Sequence, residues 1–398
     1  MKKVTHGPTP TQGDAPGGTP APLPLQGIRA LDFGQYLAAP AAALRLADLG
    51  AEVLKVEQPA GDGSRRLLLA GVSIDGESAN FQTINRNKRG VTADLKDPKD
   101  RAAVDELVRA ADVLVHNFRP GVAERLGLDY KRMSELNPRL VYGTITGYGT
   151  ARAWAHKPGQ DLLAQSLAGL PWLNGGRDDP PVPVGQAVAD MAASGHLVQG
   201  ILACLLRRGV TGRGGLVEVS LLESVLDVMF EAFTAFLNGA DGQPARGPKY
   251  SAHPQLGAPY GVYPTSDGFL ALAMTPVPRL GELLDLPELL KYVDPASWFT
   301  ERDAIIPALA ARLSGQATEH WLAILEAADI WCGPVLTWPE LLKQTGFQEG
   351  QFTQTITSYG GQQMLTTRCP IRLDGRVLKS PIPAPRLGQH NREVFPHE

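Results

Sequence analysis

The segment PPVPVGQAVADMAASGHLVQGILACLL carries one formally charged side chain, Asp190, among small and apolar neighbours. Ala192, Ala193, Ser194 and Gly195 beside it would let a substrate come close. A carboxylate so placed can serve as a covalent nucleophile if water is kept from its acylated form. Two readings stay open. Asp190 is either the N-cap of the helix that MAASGHLVQGILACLL spells, or a partly desolvated acid that the helix dipole keeps ionised. Asp161 follows Gly159-Gln160 and opens DLLAQSLAGL, where a cap or first-turn acid is the simplest role. Six basic residues, Arg86, Lys88, Arg89, Lys96, Arg119 and Arg125, fall at the ends of strand-like runs, where phosphates can be held; solvated surface is the plain alternative for each. Asn117-Phe118-Arg119-Pro120-Gly121 is the best placed of these stretches. His116, His156 and His196 have no acid or cysteine at catalytic spacing and read as structural. GxSxG, HExxH and P-loop signatures are missing.

The elements that must position these residues alternate regularly. GIRALDFG, AEVLKVE, GVTADLK, ADVLVHNF and RLVYGTITGYG read as strands, and APAAALRLADLG and DPKDRAAVDELVRA between them as helices. Pro40 suits a first helical turn and Gly50 a left-handed stop. Alternation of this kind predicts a parallel sheet with helices on both faces and a ligand at the carboxyl ends of the strands. No GxGxxG follows any strand, so a dinucleotide site fails its own fingerprint. After Arg207-Arg208, TGRGG turns into LVEVSLLESV, read as a further strand. Beyond Asn238 the pattern changes to a hairpin, GVYPTSDGFLALAM, and then helices through Ala327: a smaller α+β domain. The tail with Pro381, Pro383 and Pro385 is expected to run irregularly over the first domain.

The chain has 398 residues, 43% of them hydrophobic and 20% charged, which suits two or three globular domains and excludes a disordered chain. Near Gly200 the longest apolar runs are interrupted by Gln199 and closed by Arg207, which argues against a membrane span. With 38 basic against 41 acidic residues there is no broad field to draw in nucleic acid. Cys204, Cys332 and Cys369 stand apart with no CxxC spacing, which disfavours both a disulfide framework and a metal site and fits the cytoplasm. The first residues are not a secretory signal, and 1–25 are expected to be a disordered leader.

LDFGQYLAAPAAALRLADLGAEVLKVEQP, NRNKRGVTADLK, ADVLVHNFRPGVAERLGLDY, NPRLVYGTITGYG, GQDLLAQSLAGL, DMAASGHLVQGILACLL, TGRGGLVEVSLLESV, WCGPVLTWPELL and APRLGQH together resemble the class III coenzyme A transferase family, often called CaiB/BaiF. The resemblance implies an α/β fold: a large Rossmann-like domain from both chain ends (26–225 and 330–398), a small α+β domain (226–329), and an interlocked-ring homodimer. It implies acyl-CoA and a carboxylic acid as substrates, with no tightly bound cofactor. It places the family's nucleophilic aspartate at Asp190, and at Asp161 an acid that either supports that nucleophile from behind or faces the substrate. Coenzyme A contacts would fall at Leu37, Ala38, Ala93, Lys96, Asn117, Phe118, Arg119, Arg125 and Gln160, with Lys96, Arg119 and Arg125 on phosphates. Two departures count. Gln160 stands where the racemase branch has its basic histidine, and a glutamine is no general base, which disfavours racemisation. The run KYSAHPQLGAPYG lacks the glycine-rich loop of formyl-CoA transferases, which disfavours a formyl or oxalyl group.

Overall fold

The computed structural model describes residues 21–149, 153–239 and 246–395. Strands β1 (Arg29–Asp32), β2 (Glu52–Glu57), β3 (Arg89–Thr92), β4 (Val113–His116), β5 (Val141–Thr146) and β6 (Gly215–Ser220) form one sheet in the order β3-β2-β1-β4-β5-β6. Every pair is parallel. In this order the chain runs one way from β1 to β3 and the other way from β4 to β6, so the connections diverge between β1 and β4. That is the topological switch point at which open α/β sheets bind ligands.

Alternation within the strands explains both covered faces. Ala30, Val113 and Val115 join a core on one side, while Leu31 and Leu114 face the other with Val104, Val108 and Met133. Helix α1 (Ala38–Asp48) buries an alanine-rich surface with Leu46 against the first core and stops before Gly50, whose φ is +108°. Helix α2 (Pro98–Ala110) starts at Asp97, whose carboxylate accepts from the Lys99 amide at 2.7 Å, with proline at its first position. Helices α3 (Asp161–Ala168), α4 (Val188–Thr211) and α5 (Leu221–Val228) follow. The run LVEVSLLESV is not all strand: Ser220 ends β6 and caps α5 by accepting from the Glu223 amide.

Among the described residues α4 is the one helix long and apolar enough to cross a membrane. Its packing is that of a half-buried surface helix. Ala189, Ala193, Leu197 and Ile201 are fully buried in the first core, and the buried Arg208 guanidinium donates to the Arg139 carbonyl at 3.1 Å.

A second core gathers Tyr263, Leu270, Leu280, Ile305, Leu309, Trp321 and Leu325 under an antiparallel sheet. Gly261–Pro264 and Phe269–Leu272 make the expected hairpin, and Cys332–Pro334 adds a third strand. The irregular tail lies along β3: Pro385 sits where a Cβ on Gly90 would be 2.7 Å away. The His390 amide donates to the Gly90 carbonyl, and the Gly90 and Thr92 amides donate to His390 and Asn391 side chains. Of the leader expected over 1–25, residues 1–20 lie outside the described residues; Leu25 is already buried, donating its amide to the Leu49 carbonyl at 3.0 Å.

Candidate active site

A cleft of about 790 Å³ opens at the switch point. Its walls are the turn after β1 (Gln35, Tyr36, Leu37, Ala38), the turn after β4 (Asn117, Phe118, Arg119, Pro120), the end of β5 (Thr146, Gly147, Tyr148) and the starts of α3 and α4. Gln160, Asp161 and Asp190 all line it. A second cleft of about 330 Å³ adjoins it and shares Gln35, Gln58, Phe118 and Leu126; Ala93 and Lys96 line that one.

Two glycine contacts allow this geometry. A Cβ on Gly34 would lie 2.7 Å from Pro40 Cδ and 2.8 Å from Asp32 Oδ1, so the turn after β1 folds back tightly only with glycine there. Gly147 and Gly159 pack back to back: a Cβ on Gly147 would lie 2.6 Å from the Gly159 Cα. That contact seats the start of α3 directly on the end of β5 and delivers Asp161 to the cleft.

Asp190 is the third residue of α4, not its cap; the cap position is Ala187, with no side-chain bond. The capping role passes to Asp161, whose Oδ2 accepts from the Asp190 backbone amide at 3.0 Å. Asp161 Oδ1 accepts from Gln165 Nε2 at 2.5 Å, and Gln165 also donates to the Gln186 carbonyl, which staples the segment leading into α4 onto α3. Asp161 is thus a buried acid spent on backbone and amide bonds. The helix dipole does not keep Asp190 firmly ionised. Burial, then the negative charge of Asp161, push its carboxyl up to about 7. No cation is paired with either carboxylate in the structure among the described residues, so at neutral pH Asp190 is poised between acid and nucleophile.

Of the six basic residues singled out, Arg119 lines the large cleft and Lys96 the small one. Arg86 and Lys88 are buried in ion pairs with Asp48 and Asp32, and Arg89 pairs with Glu393 at the tail. Arg125 is an exposed residue of a short helix, Val122–Leu126, and lines neither cleft, although Leu126 beside it lines both. Leu37 and Ala38 form the entry to α1 at the cleft, and Gln160 occupies the α3 cap position without a side-chain cap bond. The run Lys249–Gly261 does not line the cleft; its Ala258 amide is tied to the Trp298 carbonyl beside the second core. Sequence reasoning missed Lys157, a cation in the cleft wall four residues before Asp161, and Gln165, one helical turn after it.

The comparisons with known proteins bear on what this cleft serves. The model of CoA-transferase family III matches residues 25–391. Succinate–glutarate CoA-transferase of Agrobacterium fabrum is 32% identical over 383 residues, covering 94% of this chain and 95% of its own. Succinyl-CoA:glutarate CoA-transferase of Mus musculus is 31% identical over 379 residues, covering 94% and 86%. The crystal structure of a CAIB/BAIF family protein from Brucella suis superposes with a TM-score of 0.81 at 29% identity, covering 94% of this chain and 99% of that one. With a six-stranded parallel sheet, a cleft at its switch point and a family match over nearly the whole length, this chain belongs to CoA-transferase family III.

Proposed function

We propose that the protein moves coenzyme A from an acyl-CoA to a second carboxylic acid, with Asp190 as the covalent carrier. The observation that carries this reading is an acid with a pKa raised to about 7 at the meeting point of both strand-end turns, held by its own backbone amide to Asp161. Ionised Asp190 attacks the thioester carbonyl; the C–S bond breaks, leaving an aspartyl anhydride and CoA thiolate. The thiolate attacks the Asp190 carbonyl carbon, the donor acid leaves as carboxylate, and an aspartyl-CoA thioester remains. The acceptor carboxylate then attacks that thioester and expels the thiolate. The thiolate in turn attacks the acceptor's carbonyl in the new anhydride, releasing acceptor-CoA and restoring Asp190. Burial supports each covalent stage, since water that reached the anhydride would hydrolyse it.

Arg119 in the large cleft and Lys96 in the small one are the cations for the nucleotide phosphates, with Lys157 a further cation in the large-cleft wall. Because two relatives are named for succinyl-CoA or succinate and glutarate, those acids head the substrate panel. Racemisation is not favoured: Gln160, exposed at the α3 cap, supplies no base. The protein works as a homodimer of interlocked subunits. The outer face of α4, with Met191 49%, Leu206 77% and Val210 90% exposed, is the apolar surface that supports this, and light scattering that returns a monomer mass rejects it.

Intact-protein mass after mixing with succinyl-CoA and trapping with hydroxylamine or borohydride tests the chemistry. An adduct on Asp190, lost in Asp190→Asn together with at least about 10³-fold of kcat, is expected. Turnover without any adduct, or with α-proton exchange instead, sinks the carrier role.

A further inference from the structure

The turn after β4 is fixed by one imidazole. Tyr142 has a single hydroxyl proton, and it goes to the Leu128 carbonyl at 2.7 Å. The 2.6 Å contact between that hydroxyl oxygen and His116 Nε2 must therefore be donated by the histidine. A neutral imidazole carries one N–H, so His116 Nδ1 is left as an acceptor, and the Phe118 amide donates to it at 3.1 Å. The Phe118 ring then stacks on the imidazole, with centroids 4.9 Å apart and planes at 23°. Burial holds the imidazole neutral, pushing it down to about 4. Beside it, the Asn117 side chain accepts from the Gln35 amide and donates to the Gln35 carbonyl, both at 2.8 Å, so the turns after β1 and β4 are clasped together.

Phe118 is part of the wall that the two clefts share. We propose that His116 is a positioning residue for coenzyme A: its Nδ1, kept free as an acceptor by Tyr142, sets the Phe118 amide and ring and thereby the wall between the large and small clefts. The inference rests on reading those clefts as the coenzyme A site. His116 touches no substrate; it acts through Phe118, so its loss weakens binding and leaves the chemical step at Asp190 intact.

Calorimetric titration with coenzyme A, with steady-state kinetics on an acyl-CoA that turns over, separates the two ideas. Wild-type protein that fails to bind coenzyme A defeats the site assignment itself, and this inference with it. Given wild-type binding, His116→Phe, which keeps a ring for stacking and removes the acceptor, is expected to raise Kd and KM about tenfold with kcat within about twofold. His116→Asn offers an oxygen to the amide two residues on, as an Asx turn does, and is expected to recover binding to within about threefold of wild type. Unchanged Kd in His116→Phe, or Asn binding as weakly as Phe, overturns the proposal. If His116→Phe does not fold, nitrogen NMR of the wild-type imidazole decides: the Nε2–H tautomer is expected throughout about pH 6–8, and the Nδ1–H tautomer overturns it.

Discussion

Two sets of acids shielded from solvent lie around the strand ends of the same sheet and have opposite fates. Beneath the turn after β1, Asp32 takes the Lys88 ammonium at 2.8 Å, Asp62 takes Lys55 at 3.1 Å, and Glu57 takes Arg65 at 2.6 Å. Burial pushes Asp62 up, but Lys55 and the Ser64 and Tyr36 amides outweigh it and hold the acid below its usual range. In the cleft, Asp190 meets burial and a second carboxylate, and its pKa rises to about 7. Burial is common to both places. What differs is the company: acids matched with cations and amides brace a turn, whereas an acid facing another acid is left chemically ready.

Lys88→Met breaks the braced set most severely. The ammonium is buried and also donates to the Pro40 carbonyl and Asn85, so its removal takes from Asp32 its ion-pair partner and leaves only the neighbouring Lys55 charge, itself engaged with Asp62. A loss of about 3–5 kcal/mol in urea unfolding is expected, and a loss under about 1 kcal/mol contradicts the bracing role.

The reverse is expected at the cleft. Because the folded-state pKa of Asp190 is raised above its unfolded value, the folded protein binds the proton more tightly, and stability falls as pH rises from about 4 to about 7. Asp190→Asn escapes that loss. At pH 8 it should unfold later than wild type, by on the order of 1 kcal/mol, while losing turnover. Equal stability of the two proteins at pH 5 and at pH 8 defeats the contrast.

Asp161→Asn gives the smallest and most diagnostic change. Wild-type kcat/KM should rise with pH through about 7 as Asp190 ionises. Removing the facing charge should move that limb to lower pH while burial keeps it above the ordinary carboxylate range. At pH 8 turnover should stay within about threefold, since the amide oxygen can still accept from the Asp190 backbone. An unmoved limb removes Asp161 from the tuning of Asp190; a collapse of turnover at pH 8 gives it a chemical part.

The strands of the sheet were legible because their apolar runs end in turn residues, and α1 and α2 because Gly50, Asp97 and Pro98 punctuate them. Asp190 stood out as a lone charge in an apolar run. Its partnership with Asp161 did not, because it depends on a contact between Gly147 and Gly159, two residues without side chains. Nor did the brace: Lys55 in EVLKVE looks like a solvent-facing residue of a strand, yet it is fully buried since Asp62 folds back over it. His116 read as structural, and it is buried and neutral; what the sequence hid was its coupling to Phe118 through Tyr142, a residue on the neighbouring strand.

The clasp of the tail on β3 has a bearing on how the chain is made. β3 is the outermost strand on its side of the sheet, and the groups that satisfy its free edge, His390 and Asn391, come 300 and 299 positions after the residues they pair with. During synthesis that edge is finished long before its cover has left the ribosome. Until then, a nascent chain displays an unpaired strand edge that another chain can join. Synthesis of that distant segment is therefore also the event that makes the sheet safe.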